Sequence, residues 1–191
     1  MSTFVCPWWM GYLLLNPFRK LIHDPHKILG KQVKHGMKAM DVGCAMGYFS
    51  LPMAKMVGDQ GKVICIDLQD KMLERLVKRA TKEDLLHRIE TRVCSYDSLK
   101  VSDMKEEIDF VLAFAMIHEV KDKERLYKEL YEVLKPKGTL LVVEPKGHVS
   151  EKDFAYSMTL CEESGFTLME RPVIGKSNGA LFQKGIAFNQ K

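Results

Sequence analysis

Residues 38–50, KAMDVGCAMGYFS, constrain the fold more than any other stretch of the chain. The run 38–42 predicts a short buried strand entering a turn. Gly43 and Gly47 permit backbone angles, or close approaches of backbone, that a side chain forbids. Tyr48, Phe49, Leu51, Ala54 and Met56 predict an amphipathic helix starting directly after the second glycine. A strand, a glycine turn and a helix N-terminus form the usual place where an α/β sheet holds a ligand. A dinucleotide fingerprint needs glycines at its first, third and sixth positions, and counting from Gly43 those positions hold Gly43, Ala45 and Tyr48. A phosphate loop needs Lys and then Ser or Thr after its last glycine, where Tyr48 and Phe49 stand instead. What remains is Asp41 at the strand end, followed by GxxxG. A carboxylate there repels a pyrophosphate and accepts a hydrogen bond from an ammonium group.

The rest of the chain fits such a sheet. Apolar runs at 62–67, 108–115 and 139–143, and a weaker pattern at 89–94, predict further strands, alternating with helical patterns at 71–84, 123–134 and 150–164. The lack of polar alternation in a run such as 62–67 fits a parallel strand covered on both faces. Pro136-Lys137-Gly138 reads as the turn ending the middle helix, and 166–171 with 179–184 as a closing hairpin. The expected fold class is therefore α/β: a three-layer sandwich with a Rossmann-like, seven-stranded, mostly parallel sheet and a C-terminal antiparallel hairpin. Right-handed crossovers then gather Asp41, Asp67, Ser95, Phe114 and Glu144 along one sheet edge.

Two regions are expected: an N-terminal helical and aromatic cap segment, 1–35, and the sheet domain, 36–191. The cap holds both tryptophans, Trp8 and Trp9, followed by Tyr12. These aromatics either cover a sheet edge or form a lid over the ligand. Asn16-Pro17 opens one short helix, and Asp24-Pro25 caps another through Val33. FVCPWWMGYLLL lacks a basic leading region and is too short to span a bilayer, so no transmembrane segment or signal peptide is expected. Reversible membrane contact is the alternative.

Charge and cysteine content narrow the function classes. The 29 basic and 25 acidic residues among 191 are interspersed, and a net charge of +4 gives no strong nucleic-acid signal. Five cysteines without a CxxC pair indicate neither a zinc site nor a disulfide framework, and no metal is expected. The expected compartment is the reduced cytoplasm, and the expected state a monomer or homodimer.

Asp67 ends the second strand 20 residues after Gly47. In dinucleotide folds an acid at this point takes the two hydroxyls of a ribose; the alternative is that it simply begins the next helix. Leu68 and Met72 can lie against a base, with Ser95, Tyr96 and Asp97 closing its other side. The implied ligand has a ribose, a base and a cationic amino end without phosphates. S-adenosylmethionine has each of these parts.

MDVGCAMG at 40–47, VICIDL at 63–68, IDFVLAFAMIHEV at 108–120 and LKPKGTLLVVEP at 134–145 resemble, in order, motifs of the class I S-adenosylmethionine-dependent methyltransferases. The chain is similar to the branch that includes the ubiquinone and menaquinone biosynthesis methyltransferases, of the type 11-like domain. The resemblance spans 36–184. It implies that Asp41 and the loop Gly43, Cys44, Ala45 and Gly47 handle the methionine end, with Phe114 nearby. It assigns Asp67 to the ribose and residues 95–96 to the adenine. Two departures stand out: Ala45 where glycine is usual, and Ser95 where an acid commonly meets the adenine amino group. Asp97 is a candidate to replace that acid.

The implied reaction is methyl transfer to a small-molecule acceptor. A general base is needed only for acceptors that must lose a proton. His118, Glu119, Glu144 and His148 are the candidates, although helix caps and packing also use such residues. The loop 144–150 is too short for the lid that relatives with large substrates insert there, leaving Trp8, Trp9 and Tyr12 as the expected acceptor contacts. A methyltransferase acting on protein or RNA, and an inactive binding module, are the competing readings.

Overall fold

A computed structural model describes Leu15 and residues 19–185. Trp8, Trp9, Tyr12 and the expected helix start at Asn16-Pro17 lie outside the described residues. Within them, α1 (Arg19–Ile22) and α2 (Pro25–Leu29) precede β1 (Lys38–Val42), α3 (Ser50–Val57), β2 (Lys62–Asp67), α4 (Asp70–Lys82) and β3 (Ile89–Val93). β4 (Ile108–Phe114), α5 (Lys123–Val133), β5 (Leu134–Pro145), α6 (Glu151–Glu163), β6 (Phe166–Glu170) and β7 (Ser177–Lys184) follow. The seven strands form one sheet in the order β3-β2-β1-β4-β5-β7-β6. β1 to β5 pair in parallel, and β7 inserts antiparallel between β5 and β6.

Alternate residues of each central strand feed two separate cores, which is why their sequences run continuously apolar. Met40, Val42, Ile64, Ile66, Val111 and Ala113 pack beneath α5 and α6 with Tyr127, Phe154 and Met158. Ala39, Val63, Cys65, Phe110 and Leu112 face the other way, against α2, α3 and α4 with Leu29, Met53 and Leu76. The order reverses direction between β1 and β4, and a crevice opens at their C-terminal ends. Ligands of open α/β sheets bind at such a switch point.

Several boundaries differ from expectation for local reasons. α3 begins at Ser50 rather than Tyr48, because residues 48–49 are spent in a turn that follows Gly47. α2 stops at Leu29, not Val33: Asp24 caps its start by accepting from the His26 N–H, and Gly30 ends it. β7 begins at Ser177 rather than Gly179, pairing that residue with Pro145. β5 starts at Leu134, so α5 ends one residue early and Pro136-Lys137-Gly138 is not a helix terminator. Ile108 pairs Leu134 and Phe110 pairs Thr139, so residues 135–138 bulge out opposite Asp109 alone. Asp109 holds that bulge through Lys135 Nζ at 2.7 Å and also accepts from the Lys38 N–H at 2.8 Å.

Candidate active site

The crevice is a cavity of about 700 Å³. Its walls include Asp41, Gly43, Cys44, Ala45, Asp67, Leu68, Met72, Ser95, Tyr96, Phe114, His118, Glu119 and His148, so most of the residues picked out from sequence meet there. Two do not line it. Gly47 faces inward, where a Cβ would stand 2.9 Å from Leu76 Cγ; its role is to let the loop pack on α4. Glu144 is buried behind His118.

The loop after β1 is shaped by positive φ angles at Gly43, Ala45 and Gly47 (71°, 47° and 82°). At Gly43 a Cβ would also collide with Met116 Cβ at 2.8 Å. The Gly43 and Cys44 N–H groups both donate to Ile66 O, at 2.9 and 3.0 Å. The turn therefore offers a ligand its shape and carbonyls rather than these two amides. Ala45 supports the left-handed angle without being glycine because its N–H donates to Asp67 Oδ2 at 2.9 Å. That bond ties the first acidic strand end to the second.

Asp41 and Asp67 end adjacent strands and both are buried. Burial pushes the Asp41 carboxyl up to about 7, while the Ser50 hydroxyl, which donates to Oδ2, and the Arg19 charge oppose the shift. Asp67 is raised for the same first reason, tempered by the N–H groups of Gln69 and Ala45. Each Asp67 oxygen keeps acceptor capacity beyond its one backbone bond, since an ionised carboxylate offers about four lone-pair sites. Two carboxylates facing one cavity demand hydrogen-bond donors and cations from a ligand, and they reject phosphate. Hydroxyl pairs and an ammonium group fit this set.

At the far side Ser95 Oγ donates to Asp97 Oδ1 at 2.7 Å, and both line the cavity. Asp97 thus places a carboxylate on the cavity wall two residues after Ser95. Leu68 and Met72 line the same end.

Another part of the cavity wall holds a cluster of titratable side chains. Glu144 Oε1 accepts from the Ile117 N–H at 2.8 Å, and Oε2 meets His118 Nδ1 at 2.5 Å. This fixes the His118 ring and leaves Nε2 as its second functional nitrogen. The Glu144 contact holds His118 above the ordinary histidine range against a desolvation that lowers it. His148 stacks on His118 with ring centroids 6.2 Å apart. Glu119, on the 3₁₀ turn 117–119, adds negative charge near the same ring. Among the described residues, no group of three or more His, Cys, Asp or Glu is placed to hold a metal ion.

Sequence reasoning missed Arg19, His23, Tyr48, Phe49 and Met116 as cavity walls. Tyr48 and Phe49 carried a signal, since they are aromatics directly after a glycine loop, but were assigned to a helix face. Arg19 and His23 carried none.

A family model described as a methyltransferase domain matches residues 33–184. A demethylmenaquinone methyltransferase of Lactobacillus johnsonii is 31% identical over 113 residues, 59% of this chain and 46% of that protein. A ubiquinone/menaquinone biosynthesis C-methyltransferase of an Enterobacter species is 29% identical over 112 residues, 59% of this chain and 44% of that protein. The chain thus spans less than half the length of these two curated relatives. The fold matches a crystal structure of a SAM-dependent methyltransferase from Aquifex aeolicus with a TM-score of 0.84, at 24% identity, covering 94% of this chain and 100% of that one.

Proposed function

The chain belongs to the methyltransferase-domain family, and from that premise we propose that it transfers the methyl group of S-adenosylmethionine to a small-molecule acceptor. The observation that carries this reading is the pair of buried carboxylates, Asp41 and Asp67, at neighbouring strand ends of one cavity. In this proposal Asp67 takes the ribose hydroxyls, Asp41 the methionyl ammonium, and Ser95 with Asp97 the adenine amino group. Leu68 and Met72 lie against the base. When bound, the cofactor supplies an electrophilic methyl on a sulfonium, so its activation is intrinsic and the protein chiefly positions the acceptor and excludes water.

The acceptor end is assigned to His118, with Glu144 orienting it. Glu144 holds Nδ1–H, so that Nε2 of the neutral ring takes the acceptor's proton as its methyl bond forms; Glu144 then stabilises the imidazolium. His148 lies beside this ring as a second polar contact. The arrangement suits an acceptor that must lose a proton, such as a hydroxyl or an activated carbon. The names of the curated relatives, a demethylmenaquinone methyltransferase and a ubiquinone/menaquinone biosynthesis C-methyltransferase, favour the carbon acceptor of these two. The N-terminal segment with Trp8, Trp9 and Tyr12 is proposed as the cover of the cavity, because Arg19 of α1 and His23 directly after it, a few residues later in the chain, line the cavity.

The test is formation of S-adenosylhomocysteine in the presence of a panel of phenols, enols, thiols and amines. Turnover with acidic hydroxyl or carbon acceptors, lost in His118→Gln, is expected. Turnover confined to thiols or amines and indifferent to His118 would overturn the assignment of the base.

A further inference from the structure

The end of α1 and the loop joining β6 to β7 leave three bulky apolar side chains in water. Leu21 is 83% exposed, Ile22 52% and Val173 96%. The two segments meet: a Cβ on Gly175 would come within 2.7 Å of Ile22 Cγ2, and His23 Nε2 lies 3.2 Å from Ser177 Oγ. Ser177 in turn pairs with Pro145 between β7 and β5, and the Lys146 N–H donates to Lys176 O at 3.2 Å. The end of α1, the loop 171–176 and the turn after β5 therefore form one continuous surface. It adjoins the cavity, whose wall includes His23, Pro145 and His148.

The charge on this surface has one sign. RKLI at 19–22, PKGHV at 145–149 and RPVIGKS at 171–177 contain no acid. Lys20, Lys146, Arg171 and Lys176 are all exposed. The acids nearest along the chain are Glu170 and Asp24, and the Asp24 carboxylate caps α2 by accepting from the His26 N–H. Shortly before α1 the sequence carries the apolar run FVCPWWMGYLLL, with both tryptophans.

Single exposed apolar side chains are ordinary on a protein surface, but three grouped within an acid-free, cationic rim call for a partner. That partner is either another protein or a lipid bilayer. Protein interfaces are depleted of lysine, whereas an anionic phospholipid leaflet attracts each lysine or arginine near its surface. Tryptophan is also enriched where membrane meets water. Leu21, Ile22 and Val173 project from a helix end and a loop, and none of them lines the cavity. We propose that this surface docks the protein reversibly on an anionic phospholipid membrane. The three apolar side chains enter the headgroup region and the four cations face lipid phosphates. The proposal is independent of the cofactor assignment, and it sets the cavity beside the bilayer.

The experiment is flotation of the full chain with two kinds of vesicle, phosphatidylcholine alone and phosphatidylcholine mixed with phosphatidylglycerol, at low salt and at about 0.5 M salt. Wild type is expected to float with the mixed vesicles at low salt, and to lose most of that binding at high salt or on phosphatidylcholine alone. The double variant Leu21→Gln/Val173→Gln should weaken partitioning by at least about tenfold, and Lys176→Gln by about fivefold. Both apolar positions are already exposed, so the fold read by circular dichroism should not change. Failure of wild type to float with mixed vesicles overturns the proposal, and so does equal, salt-insensitive binding to both kinds. Binding that the double variant retains also overturns it, by moving the contact to another part of the chain. A wild type that leaves vesicles alone but dimerises in sedimentation, with a monomeric double variant, gives the surface to a second copy and overturns the lipid assignment.

Discussion

Replacing Asp41 with Asn is expected to stabilise the ligand-free protein while weakening its binding site. In the unfolded chain Asp41 titrates near its ordinary 3.8, whereas burial moves it to about 7 in the fold. Between those values the folded state holds a proton that the unfolded state has released. Stability therefore falls as pH rises through this window and is lowest above about 7, where both states are ionised. The difference of about three pKa units, at about 1.36 kcal/mol each, amounts to about 4 kcal/mol. Asn is neutral throughout, and its Oδ1 can still accept the Ser50 hydroxyl that now donates to Oδ2. The attraction of Arg19 is already part of the Asp41 shift and so reduces the gain without reversing it. Urea unfolding followed by circular dichroism at pH 5 to 8 measures the effect. Asp41→Asn should exceed wild type by about 4 kcal/mol at pH 8 and by about 1.6 kcal/mol at pH 5. Asp67, also raised, and His118, raised by Glu144, lose stability in the same direction as pH increases, and His23, lowered by burial, gains it. These contributions are common to both proteins, so the difference between them reports Asp41. An Asn variant less stable than wild type at pH 8, or a difference independent of pH, would refute the reasoning.

Two further outcomes follow from the site. Glu144→Gln removes the contact that raises His118, so the acidic limb of the kcat profile should move to lower pH and kcat should fall by at least about tenfold; an unshifted profile would show that Glu144 does not set the histidine. Ala45→Gly relieves a non-glycine residue at φ 47°, a strain of about 1–2 kcal/mol, against about 0.4–1 kcal/mol of added chain entropy. A net rise in Tm of about 2 °C is expected by scanning calorimetry, and a fall would mean that the Ala45 methyl has a packing role.

The sheet was legible because its strands are unusually plain. VICID and DFVLAF run apolar without alternation, and such strands can only be buried on both faces. Asp41 and Asp67 were legible for the converse reason: an acid at the end of an apolar strand has few structural uses. Boundaries near Pro136 and Tyr48 were not, because a four-residue bulge held by Asp109 and a two-residue turn behind Gly47 depend on partners distant in sequence. The Glu144–His118 contact is likewise tertiary. Sequence named both residues, but only the pairing of β4 with β5 brings the ends of those strands together and makes Glu144 a buried anchor. Arg19 was illegible because one basic residue in RKLI on a short helix looks like solvated surface until Tyr48, Phe49 and Phe114 fold around it. Ala45 was read as a departure, and the Asp67 hydrogen bond explains how its conformation is held.

The central claim is that the crevice between β1 and β4 binds a nucleoside joined to an amino acid, with Asp67 gripping its ribose. Calorimetric titration of S-adenosylmethionine into wild type and Asp67→Ala tests this most directly. The account predicts one-site binding to wild type, weakened by about 10- to 100-fold in the variant, as expected for loss of charge-assisted hydrogen bonds to two hydroxyls. Absence of binding at millimolar cofactor, or equal affinity in Asp67→Ala, would contradict it.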